Sequence, residues 1–117
     1  MQPRVTDVER VKKQVRKLAA GKFLSGDAAD VCLELARLDG CQVRIAAGYG
    51  QLTEKPQPIP RDQFIWLLDG YAEIHTEAGM ETRISQGDST VLRGGAAYRL
   101  VFPQLTLYLI VEPGEGA

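Results

Sequence analysis

Few side chains in this sequence can do acid–base, nucleophilic or metal chemistry. There is one histidine, His75, and there are two cysteines, Cys32 and Cys41. A single imidazole excludes any site that draws two histidine ligands from one chain. It also leaves a Ser/His/Asp or Cys/His arrangement without support. His75 reads as a solvated residue beside a hairpin tip. The cysteines form no C-x-x-C pair and read as reduced thiols, not as a disulfide framework. Glu54 and Asp62 bracket a proline-rich loop, where they are either an acid–base pair or simply solvated. Arg44 lies between Val43 and Ile45 on an apolar stretch. Facing inward it is an anion anchor; facing outward it is an ordinary surface arginine.

These residues must be positioned by a short chain. It has 117 residues, 44% hydrophobic and 25% charged, with a net charge of −1. That is one globular domain with enough length for a core. No apolar run approaches the length of a membrane span, and the N-terminus carries no secretory signal, so the expected location is cytoplasmic. Charge is uneven. Residues 1–22 hold seven basic and two acidic side chains, +5 in all, which leaves −6 for the rest. The basic segment lacks interleaved aromatics, so nucleic acid is not an expected partner. Thr6-Asp7-Val8-Glu9 spells a capping box, with Thr6 as the cap. Val8, Val11, Val15 and Leu18 follow as one apolar stripe, predicting a helix over about 7–20 that Gly21 ends.

From Val31 onward, short apolar stretches alternate with turn signals. Val31–Leu38 and Cys41–Ala47 flank Asp39-Gly40, a type I′ hairpin signal. In that register Cys32 faces Ala47, too far along the ladder from Cys41 for a disulfide. Residues 48–60 are rich in Gly and Pro and read as loop or irregular edge. Further strands are expected at Gln63–Leu68, Tyr71–Thr76, Met80–Ser85, Ser89–Arg93, Ala97–Phe102 and Leu105–Glu112. About eight short strands imply a sandwich or barrel. In Gln63–Leu68 both faces are apolar: Ile65 and Leu67 on one, Phe64, Trp66 and Leu68 on the other. The second face needs cover from the helix or from another subunit, and the expected state is a homodimer.

The glycine spacing over residues 31–112 resembles the cupin family of jelly-roll barrels. The first family motif, G-x5-H-x-H-x4-E-x6-G, aligns with Gly50, Pro56, Pro58, Gln63 and Gly70. The second, G-x5-P-x-G-x2-H-x3-N, aligns with Gly87, Arg93, Gly95, Tyr98 and Phe102. The glycines match, and every metal-ligand position differs. Within the family, Asp62–Ile74 and the Gly87-Asp88 turn are most similar to the cupin domain of ethanolamine-utilisation proteins. The resemblance implies an all-β, double-stranded β-helix (jelly-roll) barrel; with 1–22 taken as the segment of the N-terminal α-helix, the barrel domain spans 23–117. It also implies that Gln63 and Tyr98 point into the barrel mouth, either lining a polar pocket or bonding each other in a packed core.

The functional expectation follows from the missing ligands. Proline offers no donor, and a glutamine amide or phenol replaces imidazole poorly. The chain therefore reads as a metal-free binding or sensing module for a small polar molecule, without a cofactor. Gln63, Tyr98 and Arg44 are its candidate site residues. The alternatives are a small cupin enzyme, such as an isomerase, a lyase or an ethanolamine-utilisation-like protein, and a structural protein with a filled barrel.

Overall fold

The computed structural model describes residues 5–24, 29–51 and 53–114. Among these residues one helix, α1 (Val8–Leu24), precedes eight strands: β1 (Ala29–Leu38), β2 (Cys41–Gln51), β3 (Gln57–Pro58), β4 (Gln63–Asp69), β5 (Tyr71–Thr76), β6 (Glu81–Ser85), β7 (Ser89–Leu92) and β8 (Ala97–Pro113). All strand pairs are antiparallel. One sheet runs β1-β2-β8-β4-β7, while β3 and β5 attach to the first part of β8 and β6 lies outside β5. Thus β8 serves both layers. Its second half pairs β2 and β4, and its first half pairs β3, β5 and the end of β2.

β8 corrects the expectation of two separate strands. The chain continues through Pro103, but the ladder to β2 breaks there. Gly48 faces Thr106 and Gly50 faces Phe102, so three residues of β8 oppose one of β2. Proline has no N–H for the ladder, which localises the break. β2 in turn runs on through Gly48 to Gln51, where a loop was expected. Gly48 permits this: a Cβ there would sit 2.5 Å from the Phe102 ring.

The first hairpin keeps its two-residue loop, with Leu38 opposite Cys41. Only Gly40 has a positive φ, at 80°, so the turn is not type I′, which requires a left-handed Asp39 as well. A bulge between Glu34 and Ala36 then slips the register by one, and Cys32 faces Ala46 instead of Ala47. Both thiols are free.

Two apolar clusters form. Inside the barrel Ile65, Leu67, Ala72, Ile74, Ile84, Leu92, Phe102, Tyr108 and Ile110 pack together. Phe102 and Tyr108 stack with centroids 5.3 Å apart. Outside, α1 lays Val15 and Ala19 on Ile45, Ala47 and Leu107, with Val31, Leu33 and Leu68 around them. The buried stripe of α1 is therefore Val11, Val15 and Ala19, at i, i+4, i+8. Val8 and Leu18 from the expected stripe are exposed. The helix also starts one residue later than the capping box implies. Asp7 Oδ1 accepts from Arg10 N at 3.3 Å, so Asp7, not Thr6, is the cap. Gly21 does not end the helix, which continues to Leu24.

Candidate functional site

Alternation along β4 sends Gln63 to the same side as Ile65 and Leu67, into the barrel. The register carries Arg44 there too. Arg44 is opposite Ile110, itself opposite Ile65, and directly paired residues share a face. By the same rule Gln42 and Glu112, which pair with each other, also face inward. Four polar side chains thus converge at one end of the barrel, where the apolar packing stops.

Glu112 is the hub of this end. Gln63 Nε2 donates to its Oε2 at 3.2 Å, and Arg44 Nη2 donates to its Oε1. The Glu112 and Arg44 side chains are only 17% and 27% exposed. Arg44 Nη1 also approaches Cys32 Sγ at 3.8 Å, while its Nε is buried and unpartnered among the described atoms. Beside Glu112 lies a hollow of about 380 Å³ lined by Gln42, Pro60, Arg61, Glu112 and Pro113. Arg61 forms one wall of it, donating through Nη1 to the carbonyls of Pro113 and Gly114. Arg44 and Arg61 thus flank the Glu112 carboxylate, while Glu34 and Arg37, opposite Arg44 and Gln42 on β1, pair with each other at 2.9 Å. Glu112 and Arg61 were not singled out in the sequence. Their partners lie 68 and 53 positions away, and only the closed sheet brings them together.

Tyr98 also packs against the interior cluster, but its hydroxyl does not join the Glu112 network. Its hydroxyl accepts from Arg93 N at 3.0 Å, which holds the turn before β8. The ring lines a separate hollow of about 350 Å³ with Pro58, Thr76 and Ala97. So Gln63 and Tyr98 neither bond each other nor line the same hollow. Asp62 is also committed to structure: Oδ1 accepts from Gly94 N at 2.7 Å, and Oδ2 faces Arg93 Nη1 at 3.4 Å. It is not paired with Glu54, whose carbonyl instead accepts from Arg99 Nη1 at 3.1 Å.

The cupin ligand positions hold Pro56, Pro58, Gln63 and Tyr98. Pro58 sits in β3 against Ala97, Gln63 is bonded to Glu112 and Tyr98 to Arg93. This donor set does not fit a divalent metal held in the family's manner.

His75 corrects its expectation of full solvation. Ala72 and Ile74 are inside the barrel, so Glu73 and His75 face outward, yet both side chains are only 20% exposed. His75 Nε2 lies 3.2 Å from Glu73 Oε1. Glu81 sits opposite His75 on β6. Arg83 donates to Glu81 through Nε at 3.1 Å. That bond, with the charges of Glu81 and Glu73, raises the guanidinium above its ordinary value, so it stays cationic.

Among the described residues no helix is long and apolar enough to cross a membrane. No protein-family model matches the chain, and no curated protein matches it in sequence. Solved structures do match in shape. A cupin-2 domain protein from Shewanella frigidimarina superposes with a TM-score of 0.67 at 14% identity, covering 82% of this chain and 92% of that one. The EutQ protein of Clostridium difficile gives 0.66 at 14% identity, over 78% and 72% of the two chains. KdgF from Halomonas gives 0.61 at 18% identity, over 74% and 86%. With the antiparallel strands, the helix α1 and the positive-φ glycines at Gly50, Gly70, Gly87 and Gly95, these likenesses show that the chain has the fold of the cupin proteins.

Proposed function

We propose that the protein is a cupin-like module whose barrel holds no metal and which binds a small polar molecule at the barrel end formed by Arg44, Gln63 and Glu112. The observation that carries this reading is the convergence of Arg44 and Gln63 on one half-sequestered carboxylate, Glu112, beside an open hollow. An ion pair removed from water contributes little net stability, and an apolar replacement of the same volume often serves the fold as well. Polar groups kept there are better explained by recognition. Arg61 adds a second cation to the rim. The balance favours a ligand with acceptor oxygens, a carboxylate foremost, over a cationic amine. Tyr98 then acts as a brace for the turn at Arg93, and Gln63 and Arg44 set the Glu112 carboxylate beside the hollow.

The reading extends to the assembly and the compartment. A cytoplasmic homodimer fits the bare apolar side of β4 and β7, where Phe64, Trp66 and Val91 are 39%, 44% and 45% exposed. A second functional reading has its own support. The apolar cluster around Phe102 and Tyr108 fills the barrel centre, as a purely structural module would require.

Thermal-shift screening separates the two. The panel should hold small carboxylates and sugar acids, with ethanolamine as the cationic comparison. A true ligand at 100 times its Kd adds about 2.7 kcal/mol to stability. Carboxylates should stabilise the wild type, and Arg44→Ala and Gln63→Ala should lose that response. Stabilisation that survives Arg44→Ala moves the site elsewhere. No stabilisation by any carboxylate favours the structural module.

A further inference from the structure

We propose that Glu73, His75 and Glu81 form a divalent-metal site, best fitted to Zn²⁺, on the outer face of the β5–β6 ribbon. Their ligand atoms lie within 4.8 Å of one another. This face is opposite the barrel interior, because Ala72, Ile74 and Ile84 of the same strands are in the interior cluster. The site is therefore independent of the rim that holds Arg44 and Glu112.

The backbone fixes the three positions. Glu73 and His75 are two residues apart on β5, hence on one face, and Glu81 is the cross-strand partner of His75. One imidazole nitrogen and two carboxylate oxygens suit a borderline divalent ion such as Zn²⁺. Bonds of 2.0–2.1 Å in a tetrahedron place ligand atoms about 3.3 Å apart. The His75 and Glu73 atoms already stand at 3.2 Å, and both side chains are largely shielded from solvent. Only Glu81, which is exposed, has to swing inward. Three protein ligands leave the fourth position to water.

Two cations face the cluster and set its strength. Arg83 competes for Glu81 directly, through the 3.1 Å bond from its Nε. Arg99 stands opposite His75 on β8, but its Nη1 is committed to the Glu54 carbonyl. Arg83 is thus an internal competitor for the metal's third ligand. Removing it should tighten metal binding, whereas removing a ligand should weaken it. A structural role alone does not produce those opposite signs.

The test uses tag-free protein carrying Cys32→Ser, so that no added imidazole and no exposed thiol competes. Zn²⁺ is titrated by calorimetry, and Co²⁺ is followed by its visible absorption. About one Zn²⁺ should bind per chain. His75→Ala should abolish binding, Glu73→Gln and Glu81→Gln should weaken it at least tenfold, and Arg83→Gln should strengthen it several-fold. All four side chains face outward, so circular dichroism should show the fold retained. The single imidazole gives a direct signal: its resonances should shift when Zn²⁺ is added. The proposal is overturned if Zn²⁺ does not bind, if His75→Ala binds as the parent does, if the imidazole resonances stay unmoved, or if Arg83→Gln weakens binding.

Discussion

The outer side of the main sheet has two halves that are alike in sequence and opposite in fate. On β1, β2 and the adjoining part of β8, the outward residues Val31, Leu33, Ile45, Ala47 and Leu107 lie under α1. On β4 and β7 the outward residues Phe64, Trp66 and Val91 have no such cover and stay exposed. Leu68 marks the border. It shares the outward side with Phe64 and Trp66, yet it joins the helix cluster, just where a bulge interrupts the pairing of β4 with β8. Hydrophobicity alone thus does not decide burial. The reach of one 17-residue helix does.

The sharpest way to break this comparison is to cut the same kind of side chain in each half. Ile45 is fully buried, so Ile45→Ala should cost about 2–5 kcal/mol in chemical denaturation. Val91→Ala, on the bare half, should stay within about 0.5 kcal/mol when measured on the isolated protomer. Equal losses would mean that something covers the bare half as tightly as α1 covers the other.

Trp66→Glu tests that cover in the assembly. The indole is 44% exposed, and its Nε1 donates to the Gly87 carbonyl at 3.3 Å. A charge placed there does not disturb the barrel interior, but it opposes burial in an apolar contact. Wild type should sediment as a dimer and Trp66→Glu as a folded monomer. A variant that keeps the dimer's sedimentation coefficient would remove this face from the subunit contact.

The same contrast shows what could be read from the sequence. Turn glycines and strand alternation are local signals. Gly40, Gly70, Gly87 and Gly95 all have positive φ, and the alternation of β4 correctly turns Gln63 inward. Gly70 shows why one such position admits nothing larger: a Cβ would meet Thr106 Oγ1 at 2.5 Å. Partnerships are not local. Glu112 stood at the end of the last expected strand with no sign that Arg44 and Gln63 would meet there. The slip at the β1 bulge, the single long β8 and the partner of Tyr98 likewise depend on backbone geometry that residue types do not encode one by one. His75 lay next to the expected tip, and its shielding arises only when β8 closes against β5.

The helix start is the smallest of these differences and the most direct to measure. Thr6-Asp7-Val8-Glu9 satisfies the capping-box spacing from Thr6, yet the first turn is built from Asp7. Its carbonyl accepts from Val11 N at 3.2 Å, and its carboxylate accepts from Arg10 N. A carboxylate cap satisfies an orphan N–H and also places negative charge at the positive end of the helix dipole, which a threonine hydroxyl does not. Asp7→Ala should therefore lower stability by about 1 kcal/mol. Asp7→Asn keeps the hydrogen-bonding oxygen and loses the charge, so it should cost less, with the difference shrinking at high salt. Thr6→Ala should leave the denaturant midpoint almost unchanged. If Thr6→Ala instead costs as much as Asp7→Ala, the helix begins one residue earlier in solution. The stripe it lays on β1 and β2 would then have to be reconsidered with it, because Val11, Val15 and Ala19 are buried only with the helix set in this rotation.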